Sequence, residues 1–253
     1  MLANRIRAMG AAHWLVLFGL ILAAWALLYL MAVPAGQRAA GAVYGAEFWA
    51  SFCTLTPDSA GWGRIALMWV LMSAAMMAPT VLPALATYED LGQSGAATGM
   101  ARLLGGYLAV WLGFSLLAAT AQMLLFRAGL LDPLGQSVAA PFSAFLLAGA
   151  GLYQFSAMKA ACLGRCRMPL TFFMQHWDEG PLRNGLRLGL VCLGCCWALM
   201  TLGFVGGVMN LAFMGLATLI MMVEKLPGIG RLVTRPLGYA LLGGAAWMVL
   251  GAI

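Results

Sequence analysis

Five of the six cysteines fall between Tyr153 and Met200, together with one of the two histidines. Cys162 and Cys166 are spaced C-x3-C, and residues four apart on a helix share a face, so both sulfurs reach toward one point. Arg165 and Arg167 flank Cys166, and nearby cations favour the thiolate, which is both metal ligand and nucleophile. His176 follows, beside Trp177. Cys192, Cys195 and Cys196 then form C-x2-C-C, whose first pair has the spacing of zinc, iron–sulfur and dithiol sites. A single cysteine reads as a small buried hydrophobe. Five of them with a histidine in so short a stretch point instead to metal binding or thiol exchange.

A second sulfur-bearing pattern lies upstream. Met68, Met72 and Met76 are spaced i, i+4, i+8, with Met77 adjacent, so they line one helix stripe. Such a stripe is usually packing. Beside a thiolate cluster it also suits Cu(I), because soft thioethers and thiolates select that ion and thioethers bind zinc poorly. The residue set therefore points to copper, with zinc or iron as alternatives: Cys162, Cys166, Cys192, Cys195 and Cys196 as thiolates, His176 as an imidazole, and Met68, Met72, Met76 and Met77 as a thioether path. Pro79 lies just beyond the stripe. It cannot donate a helical hydrogen bond and should free the carbonyl of Ala75.

The elements that must hold these residues are apolar. The 253-residue chain is 63% hydrophobic and 9% charged, against about 25% charged in an ordinary soluble domain. So few charges cannot cover a water-exposed surface. The fold class is all-α, a polytopic transmembrane helix bundle forming one domain over 1–253. The uniformly apolar runs exclude the alternating strands of a membrane barrel. Seven runs approach the roughly 20 residues that cross a hydrocarbon core: about 12–33, 64–86, 103–126, 139–159, 187–205, 208–224 and 236–253. The first is too long for a signal peptide's apolar region of roughly 7–15 residues.

From Leu188 to Val223 the chain has no charge. As one helix this would be about 54 Å long, too long to span with ordinary tilt. Gly203, Gly206, Gly207 and Asn210 lie in its middle, and Gly and Asn form turns, which predicts a tight reversal near Gly206–Gly207. With seven spans and a cytoplasmic N-terminus, only Arg38, Arg64 and Arg127 of the 14 Lys and Arg residues face outward, a strong positive-inside bias. The 160–186 segment, which carries Cys162, Cys166 and His176, becomes a basic inner loop. The net charge of +6 is then explained by topology and anionic lipid headgroups, not by nucleic acid.

Other residues have plainer readings. Cys53 stands alone in the outer loop. His13 is an interfacial anchor before Trp14. Glu224 and Lys225 end the sixth run and are expected to snorkel. Gln122, Gln154 and Asn210 are expected to hold helices together, and Gly185–Gly189 and Gly203–Gly207 fit the small-xxx-small contact pattern. No Asp or Glu lies deep in a run, which argues against a carboxylate proton relay. There is no phosphate loop, zincin motif or defensible Ser-His-Asp order, so no enzymatic reaction is defined.

Several segments together resemble a bacterial family of predicted metal-binding integral membrane proteins, DUF2182. They are MWVLMSAAMMAPT at 68–80, YQFSAMKAACLGRC at 153–166, PLTFFMQHW at 169–177, GLVCLGCCWALM at 189–200, FVGGVMNLAFM at 204–214 and EKLPG at 224–228. The resemblance implies a multi-pass protein of the bacterial inner membrane and metal ligands among Met72, Met76, Met77 and the cysteines and histidine above. The leading expectation is Cu(I) binding, transfer or transport, with the lipid bilayer and a metallochaperone or larger membrane complex as partners. Two rivals are a membrane thiol–disulfide oxidoreductase, exchanging Cys192–Cys195 with Cys162–Cys166, and a non-catalytic subunit or assembly factor.

Overall fold

The computed structural model describes residues 12–32, 59–92 and 96–251. Cys53, most of the outer loop and the side chain of His13 lie outside the described residues. The described residues form an all-α bundle, without a strand beyond one isolated bridge between Leu131 and Ser137. The long helices are α1 (Ala12–Ala32), α2 (Ser59–Leu91) and α3 (Ala96–Arg127). After them come α4 (Ala140–Tyr153), α5 (Ala157–Arg167), α6 (Pro169–His176), α7 (Pro181–Thr201), α8 (Gly203–Gly206), α9 (Leu211–Glu224) and α10 (Ile229–Leu250). A 3-10 turn, Trp177–Glu179, precedes α7. Four helices are long and apolar enough to cross a membrane: α1, α2, α3 and α7 with its extension through α8. α4 and α9 are apolar but shorter, at 14 residues each.

Helix α7 is the centre of the site-bearing half. It packs on α3, with α5 against its flank. The α3–α7 contact is close because both surfaces lack side chains there. A Cβ on Gly185 would strike the carbonyl oxygen of Leu103, and one on Gly106 would strike that of Leu182. At Gly189 an added Cβ would sit 2.9 Å from Val110 Cβ. Gly185–Gly189 is thus a true small-residue crossing. Gly203–Gly207 is not: Gly207 has φ +90° and forms the turn itself.

That turn divides the charge-free run. α8 ends at Gly206, the chain reverses through Gly207, whose positive φ suits glycine, and Asn210 caps α9 by accepting from Phe213 N at 3.1 Å. In α2, the helix continues through Pro79 and Pro83. The carbonyl freed by Pro79 is satisfied from another helix: Trp25 Nε1 of α1 donates to Ala75 O at 3.1 Å. Gln122 accepts from Trp69 Nε1 at 2.6 Å and so joins α3 to α2. Gln154 is buried without a hydrogen-bond partner for its side-chain amide, so it does not serve as the expected polar bridge.

Two expectations need correction. The run read as 139–159 is broken: α4 ends at Tyr153, and Ser156 starts α5 by accepting from Lys159 N at 3.1 Å. A serine N-cap competes with continuation of the helix, and apolarity alone does not report it. The segment 160–186 is also largely helical, formed by the end of α5, α6, the 3-10 turn and the start of α7.

Glu224 and Lys225 do not snorkel. Lys159 Nζ and Glu224 Oε2 meet at 2.9 Å, each side chain only 1% exposed, and Arg167 Nε donates to Glu224 O at 2.8 Å. Inward turning is tolerated because each head group finds a partner. Removing one member leaves the other buried and unpaired, at a cost of about 3–5 kcal/mol, whereas replacing both with apolar residues approaches neutrality. Thermal unfolding in detergent should therefore show Lys159→Met and Glu224→Leu each strongly destabilised, with the double variant closer to the parent than either. Additive losses would show that the pair does not act as a unit.

Candidate metal centre

Cys192, Cys195 and Cys196 sit at i, i+3 and i+4 on α7, which places them on one face. Their three Sγ atoms lie within 4.8 Å of one another, and all three residues are buried. Cys195 and Cys196 sulfurs are 3.2 Å apart, and Cys195 Sγ donates to Cys192 O at 3.1 Å. Because α7 begins at Pro181, the group lies about 16 Å along the helix. That is near its middle, not at the inner end expected for a span starting at residue 187.

Helix α5 brings a fourth sulfur. Cys166 Sγ is 4.0 Å from Cys195 Sγ. Cys162, one turn earlier, lies over Gly194, where an added Cβ would be 2.6 Å from its sulfur. Cys162 is not part of the three-sulfur group. All five cysteines are free.

The other predicted ligands are placed differently. His176 Nδ1 is 2.9 Å from Phe172 O, and its ring lies tilted against that of Phe172. It faces a separate cavity of about 630 Å³ with Arg165 and Arg187 in its wall, so it does not join the sulfurs. Met68, Met72, Met76 and Met77 are all buried in the core, and none lines the cavity that reaches Cys192. The stripe does end beside the site, since Thr80 Oγ1 and Tyr107 OH both donate to Met77 O, at 2.8 and 3.1 Å.

Two contacts of Cys192 were not foreseen. Tyr107 OH is 3.1 Å from its sulfur. Lys225 Nζ donates to the same sulfur at 3.0 Å and to Thr80 Oγ1 at 2.7 Å. An ammonium at this distance compensates the negative charge of a thiolate or of a thiolate–metal complex in a low-dielectric setting. The sequence signal was a lysine closing a charge-free run, and a lone phenol in the third run. A cavity of about 570 Å³ reaches this group, with Thr80, Tyr107, Cys166, Arg167, Cys192 and Lys225 among its lining residues.

Burial pushes the Cys162 thiol up, and the nearby Arg165 cation only partly opposes it. Arg167 instead turns to Glu224 O and Thr234 Oγ1. A raised thiol pKa means less thiolate at a given pH. Alkylation of Cys162, followed by peptide mass spectrometry between pH 7 and 9, should lag that of a free cysteine and catch up as pH rises. Arg165→Gln should slow it further, because the opposing cation is lost. A faster Arg165→Gln variant would overturn this account.

No curated protein and no solved structure matches the chain. A protein-family model does, over residues 66–248, and its description is PpoB2, copper chaperone. The match covers every sulfur of the site and well over half of the sequence, and the chain belongs to the PpoB2 copper chaperone family.

Proposed function

We propose that this protein binds Cu(I) within the membrane at Cys192, Cys195 and Cys196, with Cys166 completing the set, and hands the ion to a partner. The observation that carries the reading is the convergence of the three α7 sulfurs within 4.8 Å, with Cys166 Sγ 4.0 Å from Cys195. Soft thiolates suit Cu(I), and the family's description is in keeping with that choice. A two-thiolate Cu(I) complex carries one negative charge, which the Lys225 ammonium beside Cys192 offsets. In this reading the chain crosses the bacterial inner membrane several times with its N-terminus cytoplasmic. Cys162 neighbours the site, His176 lies on an adjoining face, and the methionine stripe of α2 supplies buried thioethers behind it.

The test is anaerobic Cu(I) loading of the purified chain, with competition by bicinchoninate and X-ray absorption at the copper edge. The expected result is stoichiometric copper in an all-sulfur environment. Cys195→Ser should weaken binding by at least about a hundredfold, beyond the 10–100-fold typical of outer-shell changes. Loss of a thiolate ligand should exceed the effect of His176→Ala. Zinc retained in preference to copper, or unchanged affinity in Cys195→Ser, would overturn the assignment.

A further inference from the structure

The cavity over Cys192 is far larger than a bare ion requires. At about 570 Å³ it falls in the range of small-molecule sites, about 300–1,000 Å³. Its walls are mostly apolar, from residues such as Leu82, Ala86, Leu219 and Pro227, and Thr80, Tyr107, Cys192 and Lys225 form a hydrogen-bonded group in the lining. Lys225 and Arg167 bring two cations, and no carboxylate side chain is in the lining. Lys225 spends two of its three donors on Thr80 and Cys192, and Arg167 spends Nε on Glu224 O and one Nη2 proton on Thr234 Oγ1. The rest of both donor sets remains for a ligand. The sulfurs of Cys166 and Cys192 are reached from the same space. An anionic molecule that also carries sulfur matches all three features.

We propose that this cavity is a docking site for a low-molecular-weight thiol bearing carboxylates, which delivers Cu(I) as its bis-thiolate complex. The inference rests on the copper reading above. Its carboxylates pair with Lys225 and Arg167, and its methylene groups lie on the apolar wall. Exchange then needs no oxidant. Two copper–sulfur bonds to the donor break and two to protein sulfurs form, Cys192 first and then Cys166 or Cys195. The two protein thiol protons leave on the two released donor thiols. Copper stays Cu(I), and the complex carries one negative charge before and after.

The test uses the full chain in phosphatidylcholine nanodiscs, with reduced glutathione and its dimethyl ester as probes. Anaerobic equilibrium dialysis should show saturable glutathione binding to the copper-free chain, with the ester at least tenfold weaker. In stopped-flow experiments, Cu(I) should transfer at least tenfold faster from the glutathione complex than from the ester complex. Ala86→Trp, which fills the wall, should abolish both differences yet leave the bicinchoninate-competition affinity for Cu(I) unchanged. Pro227→Trp on the exposed rim serves the same purpose if the first variant does not fold. Equal behaviour of the two probes, or an undiminished preference in either folded variant, overturns the proposal. So does displacement of glutathione by phosphatidylglycerol in the nanodisc, which would make the cavity a lipid site. Failure of the copper reading is separately visible: a chain that takes no Cu(I) in the competition assay while still binding glutathione has a thiol site but is not supplied with copper by it.

Discussion

The geometry of the thiol site depends on how closely α3 and α7 approach. At Gly106, Gly185 and Gly189 the two helices meet nearly backbone to backbone, which only the absence of Cβ atoms permits. Tyr107 follows Gly106 directly, so the crossing that brings the backbones together also carries the phenol to Cys192, 3.1 Å away. The same hydroxyl bonds the carbonyl of Met77 on α2. One close contact thus fixes three helices around one sulfur. Widening it by a single methyl group would separate the phenol from the thiol before it disturbed the cysteines' own register.

A second constraint closes the site from the opposite side. The Lys159–Glu224 pair and the Arg167 bond to Glu224 O join α5 to the end of α9. Cys166 lies on α5 next to Arg167, and Lys225 follows Glu224, so this polar tie holds both a sulfur and a cation in position. Burying an ion pair is costly and contributes little net stability. What it supplies here is placement: Pro169 and Pro227 stop α5 and α9, and the polar tie fixes where the two ends meet.

The sulfur-rich core of the site was legible because helical spacing is a local property. C-x2-C-C on a continuous helix puts three sulfurs on one face wherever that helix packs, and the glycines and Asn210 marked the reversal in the charge-free run. What could not be read depends on contacts between distant segments. His176 shares the cysteine-rich stretch but turns to its own helix carbonyl and lies against the Phe172 ring. Lys225 was expected at the interface because a charged residue at a helix end usually reaches water. It turns inward because Thr80 and Cys192, far away in sequence, offer it partners. The break at Ser156 was hidden for a different reason. Hydropathy averages over a window and passes over a single capping hydroxyl. The arginines of α5 show the limit of sequence adjacency: Arg167 turns to the Glu224 carbonyl and Thr234, and at the Cys162 thiol burial outweighs the Arg165 cation.

The two tryptophan bonds of α1 bear on how the chain is assembled. Trp25 serves the Ala75 carbonyl that Pro79 leaves free, and Trp14 Nε1 donates to Glu89 Oε2 at 2.6 Å. These contacts run antiparallel along α1 and α2, so the two helices are stitched by indole donors near the start of α1 and again just past its middle. During synthesis α1 emerges first. When α2 follows, the carbonyl that Pro79 leaves free meets a donor already in place. A buried carbonyl left without one would cost about as much as a lost hydrogen bond. In this sense α1 works as a built-in packing partner for the methionine-bearing helix.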